Sequence, residues 1–264
     1  MRPRTRVAAA VAPLIAAAAA TAAIACAKAY GEDATTGDLS DAAVVGEVAV
    51  DVVAPSSSFC AKSKAPICDE FATTISPAWT RRLAADSTLE IDSLDFFSGP
   101  GALRAKIVPG SDPDAAPAPV FALIEQQVAL SAATRDIYVE AQVRTLQTDA
   151  IQGGVHVLRL DSRGVPAILV VEGQNAHLAT ESTQTLLQIG SEFAWPPMKW
   201  HAVSLHFVRV PGTGATVQIS VDHALVAEGQ LEVFDPPFTL QIGGYRQTSA
   251  SPADVLYDDV TLHE

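Results

Sequence analysis

Residues Asp136 to Thr145 read DIYVEAQVRT. Ile137, Val139, Ala141 and Val143 alternate with Tyr138, Glu140, Gln142 and Arg144. A period of two residues predicts a β-strand with one face in a core and the other open to solvent or ligand. The same alternation recurs in HAVSLHFVRV, where Val203, Leu205 and Phe207 alternate with Ser204 and His206, and in TVQISVD, with Val217, Ile219 and Val221. Turn signals separate such runs: SGPG at Ser98 to Gly101, QGG at Gln152 to Gly154, PGTG at Pro211 to Gly214 and GG at Gly243 to Gly244. Many short strands at regular spacing, with little helical pattern, predict an all-β antiparallel sandwich. Pro113 to Pro119 is a proline-rich interior stretch and reads as an exposed loop.

A chain of 264 residues fits one large β domain plus a leader. Hydrophobic residues make up 48% of it, but Ala supplies much of that and only 6% are aromatic, so the core is expected to rest on Val, Leu and Ile. The formal net charge is -13. Loss of Arg2, Arg4, Arg6 and Lys28 with a leader would leave 13 basic against 30 acidic residues, or -17. Such a surface repels phosphate backbones and anionic lipid headgroups, which argues against nucleic acid as a partner.

Residues 1–29 carry the parts of an export signal: a basic start at Arg2, Arg4 and Arg6, an apolar run from Val7 to Ile24, then small residues. Two processing routes are open. Ala27-Lys28-Ala29 is an A-x-A site that would release a chain starting at Tyr30. Ala23-Ile24-Ala25-Cys26 resembles a bacterial lipobox, with Ala23 where Leu is usual, and would place a lipid anchor on Cys26. Cys60 and Cys68 lie close enough in an exported chain to pair, which leaves Cys26 as the odd cysteine. Residues 30–58 are acidic and rich in small residues, as a flexible tether would be. The expected location is the bacterial cell envelope, through a lipid anchor, or the extracellular space.

From Phe59 to Glu264 the order of elements resembles the LamG-like, concanavalin A-like jelly roll. The residues carrying the resemblance are CDEF at Cys68 to Phe71, Trp79, SGPGAL, the strand DIYVEAQVRT, WHAVSLHF from Trp200, QISVDHALV, LQIGGY and the closing VLYDDVTL. One departure is His223, where the family commonly has Gly; since a tight hairpin favours Gly there, Asp222-His223 is expected to form a wider turn. The resemblance implies a possible structural calcium, with Asp258 and Asp259 on the closing strand and Asp69 and Glu70 near the opening one as oxygen ligands. No other cofactor is expected.

The stretch EIDSLD, with Glu90, Asp92 and Asp95, is the nearest approach to the acid pair of jelly-roll glycosidases. Alternation puts Glu90 and Asp92 on one face and Asp95 on the other. The motif also runs directly into SGPGAL, so it reads as a strand entering a turn. The expectation is therefore a non-catalytic binding module for a glycan or a surface protein. A structural envelope protein or a jelly-roll glycoside hydrolase is the alternative. Candidate ligand residues are Tyr138, Glu140, Arg144 and His206 on polar strand faces, joined by Gln142, Gln218 and Ser220, with Trp195 and Tyr245 in expected loops. Trp79 and Trp200 are assigned to the core.

Overall fold

The computed structural model describes residues 59–84, 86–108, 119–146, 154–182, 185–210, 212–246 and 252–264. The expected signal segment, Cys26, the acidic tether and most of the Pro113 to Pro119 loop lie outside the described residues.

Two antiparallel sheets pack face to face. The first, sheet A, has the order β14 (Ala224–Leu231), β13 (Gly214–Val221), β12 (His201–Val210), β6 (Asp136–Thr145), β16 (Ala253–His263), β4 (Ala102–Ile107) and β3 (Thr88–Asp92), with β1 (Ile67–Asp69) also pairing with β16. The second, sheet B, runs β10 (Thr185–Gln188), β9 (Asn175–Ser182), β8 (Val165–Glu172), β7 (Val155–Ser162), β15 (Phe238–Arg246), β5 (Val120–Val128) and β2 (Thr80–Leu83), with β11 (Phe193–Ala194) also on β9. The fold is a jelly-roll β-sandwich, as the alternating runs predicted. In β6 the burial pattern follows the sequence alternation residue by residue, from exposed Asp136 to buried Thr145. Burial of Ile137, Val139, Ala141 and Val143 against the inner residues of sheet B forms one continuous core.

Four local expectations are corrected. Gly243-Gly244 is the interior of β15, where a missing side chain lets the neighbouring strand approach. Asp222-His223 is a tight two-residue hairpin with φ values of 50° and 68°, because Asp222 Oδ1 accepts from the Ala202 amide and its Oδ2 from Lys199 Nζ, which holds the turn without glycine. Trp195 is fully buried rather than in an exposed loop: it packs on His201 and its indole N–H donates to Thr145 Oγ1 at 3.1 Å. Trp200 is only half-buried, at the sandwich rim against Phe97. Trp79 is in the core, as expected.

EIDSLD is the end of a strand and the turn after it. Asp92 closes β3, and its Oδ1 accepts from the amides of Leu94 and Asp95. Glu90 pairs with Lys106, Asp92 with Arg104, and Asp95 with Arg144. The three acids are thus engaged by three different bases.

Cys60 and Cys68 form a disulfide with their Cα atoms 5.6 Å apart. It ties the short turn Cys60–Lys62 to β1 and through β1 to β16. Because the closed loop is short, reduction is expected to lower stability by about 2.5 kcal/mol. Chemical denaturation with and without a reductant measures that loss.

Candidate functional site

The sequence-chosen ligand residues do not form one site. Tyr138, Glu140, Arg144 and His206 share the outer face of sheet A, Tyr245 stands on sheet B, and Trp195 is interior. Tyr138 is stacked between His206 and His263, with ring centroids 4.2 Å and 5.0 Å away. Arg144 is paired with Asp95. Its Nη1 is therefore occupied, and Tyr138 has neighbours on both ring faces.

The expected calcium ligands carry hydrogen bonds from the protein itself. Asp258 accepts the Phe97 and Ser98 amides, both at 2.9 Å, and Asp259 accepts the Ser98 hydroxyl at 2.6 Å. Asp69 accepts the Phe71 amide and the Trp79 indole N–H. Burial pushes the carboxyls of Asp69, Asp258 and Asp259 up from their usual range. Among the described residues no group of three or more His, Cys, Asp or Glu side chains is placed to hold an ion. Asp258 and Asp259 instead clamp the loop after β3 onto a bulge in β16, where the register shifts between Asp258 and Thr261 and Asp259 takes φ 49°.

A different constellation lies on the outer face of sheet B. In register, His177 of β9 neighbours Val170 of β8, which neighbours His156 of β7, then Tyr245 of β15, then Phe121 of β5. The His156 and Tyr245 rings are 5.0 Å apart, and Tyr245 stacks on Phe121 at 6.5 Å. Four residues away along β15 and β5, Arg159 neighbours Gln241, which neighbours Glu125. His156, Arg159, Gln241, Gly243 and Tyr245 surround a shallow depression.

A pair of backbone irregularities builds this grouping. Positions 156 and 159 differ by three, so regular alternation would send them to opposite faces. Val157 and Leu158 are both in the core, however, and the register of β7 shifts there against both neighbours. His156 and Arg159 therefore both face outward. On β15 the matching extra residue lies at Gly243-Gly244, and Gly243 has φ 124°. The carbonyls at the two irregularities, those of Val157 and Gly243, each lie 2.8 Å from the hydroxyl of fully buried Tyr257, which reaches across the core from sheet A and shares its one proton between them. A bulge that would strand two buried carbonyls is thereby satisfied.

The chemistry of the depression follows from burial. His156 is 4% exposed, and desolvation, with the Arg159 and His177 charges, pushes its imidazole down to about 3. It is a neutral ring at neutral pH, and its Nδ1 has no hydrogen-bond partner. Burial raises the Tyr245 phenol above its ordinary range, so it keeps its proton. Arg159 donates to Glu181 and Asp161, both at 2.9 Å, while its Nε is buried without a partner. Orphaned buried polar atoms are rare in folded proteins, and these two lie on one face.

The low His156 value has a consequence for stability. Between about 6.5 and about 3 the unfolded chain binds a proton at His156 that the folded chain does not. Its contribution is complete above that window and is lost as pH falls through it. Desolvation gives His177 the same sign. The His156 contribution is therefore expected to fall from pH 6.5 toward pH 4 by an amount that corresponds to a few kcal/mol, opposed in part by the raised carboxyls of Asp69, Asp258 and Asp259, which act with the other sign. His156→Gln should flatten most of that slope in calorimetry.

Sequence reasoning missed His156 and Arg159 because the bulge hides their common face. Tyr245 was found but placed in a loop. The Gly243-Gly244 pair beside it was the available signal, since glycines inside a strand pattern mark a bulge or a close approach.

Comparison with known proteins supports the architecture. No protein-family model matches the sequence, and no curated protein sequence matches it. Among solved structures, the fold is similar to an endo-β-1,4-glucuronan lyase from the fungus Trichoderma reesei, with 14% identity, a TM-score of 0.59, and coverage of 75% of this chain and 95% of that one. It is also similar to the cellulose induced protein Cip1, with 15% identity, a TM-score of 0.54, and coverage of 74% and 96%. These likenesses bear out the jelly-roll sandwich. The expectation that the chain is not an enzyme is corrected by the same finding, because this architecture is shared with a lyase.

Proposed function

We propose that the outer face of sheet B acts on a polysaccharide, and that its chemistry is β-elimination on a uronate-containing chain. The observation that carries this reading is the grouping of His156 Nδ1 and Arg159 Nε, both buried and unpartnered, beside the protonated phenol of Tyr245. The fold shared with a glucuronan lyase supports it. So does the stacked Phe121–Tyr245 pair, an apolar strip of the kind a sugar ring lies against.

Elimination removes the proton at C5 of the uronate, breaks the bond from C4 to the glycosidic oxygen, forms a C4–C5 double bond and returns a proton to the departing oxygen. Arg159, on releasing Glu181 or Asp161, offers its guanidinium to the substrate carboxylate, whose negative charge rises as the C5 proton leaves. Binding that carboxylate also offsets the Arg159 charge, which adds to desolvation in depressing His156, so the ring becomes a stronger base when substrate is present. His156 Nδ1 accepts the proton. Tyr245 donates its phenolic proton to the leaving oxygen.

Incubation of the protein with polyglucuronate and polymannuronate tests the proposal. The expected products carry the ultraviolet absorbance of an unsaturated uronate and are one water lighter than hydrolysis products. Fragments one water heavier would instead assign hydrolysis, and intact polymer would remove the catalytic reading.

Export is part of the same proposal. A Cys60–Cys68 disulfide is at home in an oxidising compartment outside the cytoplasm. Intact mass spectrometry of protein from native membranes and medium distinguishes an acylated chain beginning at Cys26 from one beginning at Tyr30.

A further inference from the structure

We propose a second carbohydrate site on the opposite sheet, in a recess on the outer face of sheet A that takes a neutral, hydroxyl-rich sugar. The recess has a volume of about 190 Å³ and its lining includes Phe59, Glu140, Gln142, Ser204, Ser220 and His223. Its floor is a cross-strand row in which Ser220 neighbours Ser204, which neighbours Glu140, with Thr261 beyond Glu140 on the next strand. Strand spacing sets these side chains about 4.8 Å apart, a ladder of donors and acceptors on one flat surface.

The recess exists because two remote features close it. The disulfide holds the turn that begins at Phe59 against β1, and β1 pairs with β16 at Thr261, so the 41%-exposed Phe59 ring stands at this floor. On the other side the tight Asp222-His223 hairpin holds His223 over Ser220.

The ligand class follows from charge and unmet hydrogen bonds. Asp259 also lines the recess, so it presents two carboxylates. One Glu140 oxygen is 3.2 Å from His263 Nε2, and the nearby Arg144 is paired with Asp95. A uronate would meet negative charge with no uncompensated cation, whereas sugar hydroxyls donate to carboxylates and exchange hydrogen bonds with serine and amide groups. Two further buried atoms on this face lack partners, Thr261 Oγ1 beside Glu140 and Arg144 Nε on the same strand. An aromatic wall over a polar floor is the arrangement that holds a sugar with modest affinity.

The test titrates the full chain with neutral cello-, xylo- and manno-hexaose, by calorimetry and by NMR. At least one should bind with a Kd near the millimolar range. Ser204→Leu fills the recess and should weaken that binding at least tenfold, and Gln142→Ala should weaken it several-fold. Tyr245→Phe, on the other sheet, should leave it unchanged. Polyuronate turnover should be untouched by Ser204→Leu, so the two sites are read separately. If Ser204→Leu lowers the melting temperature, Gln142→Ala decides, and unchanged binding in that variant overturns the site. No binding of any of the three sugars up to about 10 mM, or loss with Tyr245→Phe instead, also overturns it.

Discussion

Tyr245→Phe is expected to reduce polyuronate cleavage by about 10²- to 10⁴-fold while leaving the fold intact. The substitution removes one oxygen and keeps the ring, so the stacking on Phe121 and the contact with His156 survive. If the phenol protonates the leaving oxygen, the loss should fall on kcat with little change in KM, because that proton transfer is made only in the transition state. Substrates with a better leaving group at C4 should be rescued in part. A variant that cleaves at the wild-type rate would assign Tyr245 to sugar stacking alone. Steady-state kinetics by ultraviolet absorbance, with the melting temperature as a control, make the distinction.

Gly243→Ala should be the most damaging small substitution in sheet B. Gly243 has φ 124°, a conformation that side chains rarely adopt, and a Cβ there would lie 2.3 Å from the Ala122 carbonyl oxygen and 2.6 Å from the Leu123 Cα. Both atoms are main chain, so neither moves without distorting the pairing of β15 with β5. A loss of at least about 3 kcal/mol is expected, which for a domain of this size is a melting temperature lower by about 6 to 12 °C. Tyr257→Phe attacks the same bulge from the core side. It leaves the Val157 and Gly243 carbonyls without their shared donor, at a cost of about 1–3 kcal/mol. Since both changes loosen the segments that aim His156 and Tyr245, activity should fall further than stability alone explains. Calorimetry and cleavage assays on the same preparations measure both.

The architecture was legible because it rests on a local pattern. In β6, β12 and β13 a period of two residues specifies which side chains are buried, and that pattern survives into the structure almost unaltered. The Cys60–Cys68 pairing was legible for a similar reason, eight residues being a short loop to close. EIDSLD could be read as a strand entering a turn from its spacing alone, and its three ion pairs agree with that.

The candidate site was legible only in pieces. Trp195 looked like a loop residue because its neighbours Glu192, Pro196 and Pro197 read as a connection, yet the indole is buried where that connection crosses the core and meets Thr145. The hydrogen bonds of Asp69, Asp258 and Asp259 were not legible, because nothing in sequence shows which backbone amides or indole, distant along the chain, will engage them.

The sequence by itself determined the alternation, hence the strands and the sandwich, together with the acidic charge and the cysteine pair. Only the tertiary structure decided which face carries the candidate site. A two-residue period assigns faces correctly as long as a strand stays regular, and a bulge reverses every assignment beyond it. The register shifts at Val157 and Gly243 depend on a tyrosine 100 residues from Val157, supplied by the other sheet. Contacts of that range bring His156, Arg159 and Tyr245 together, and no local pattern records them.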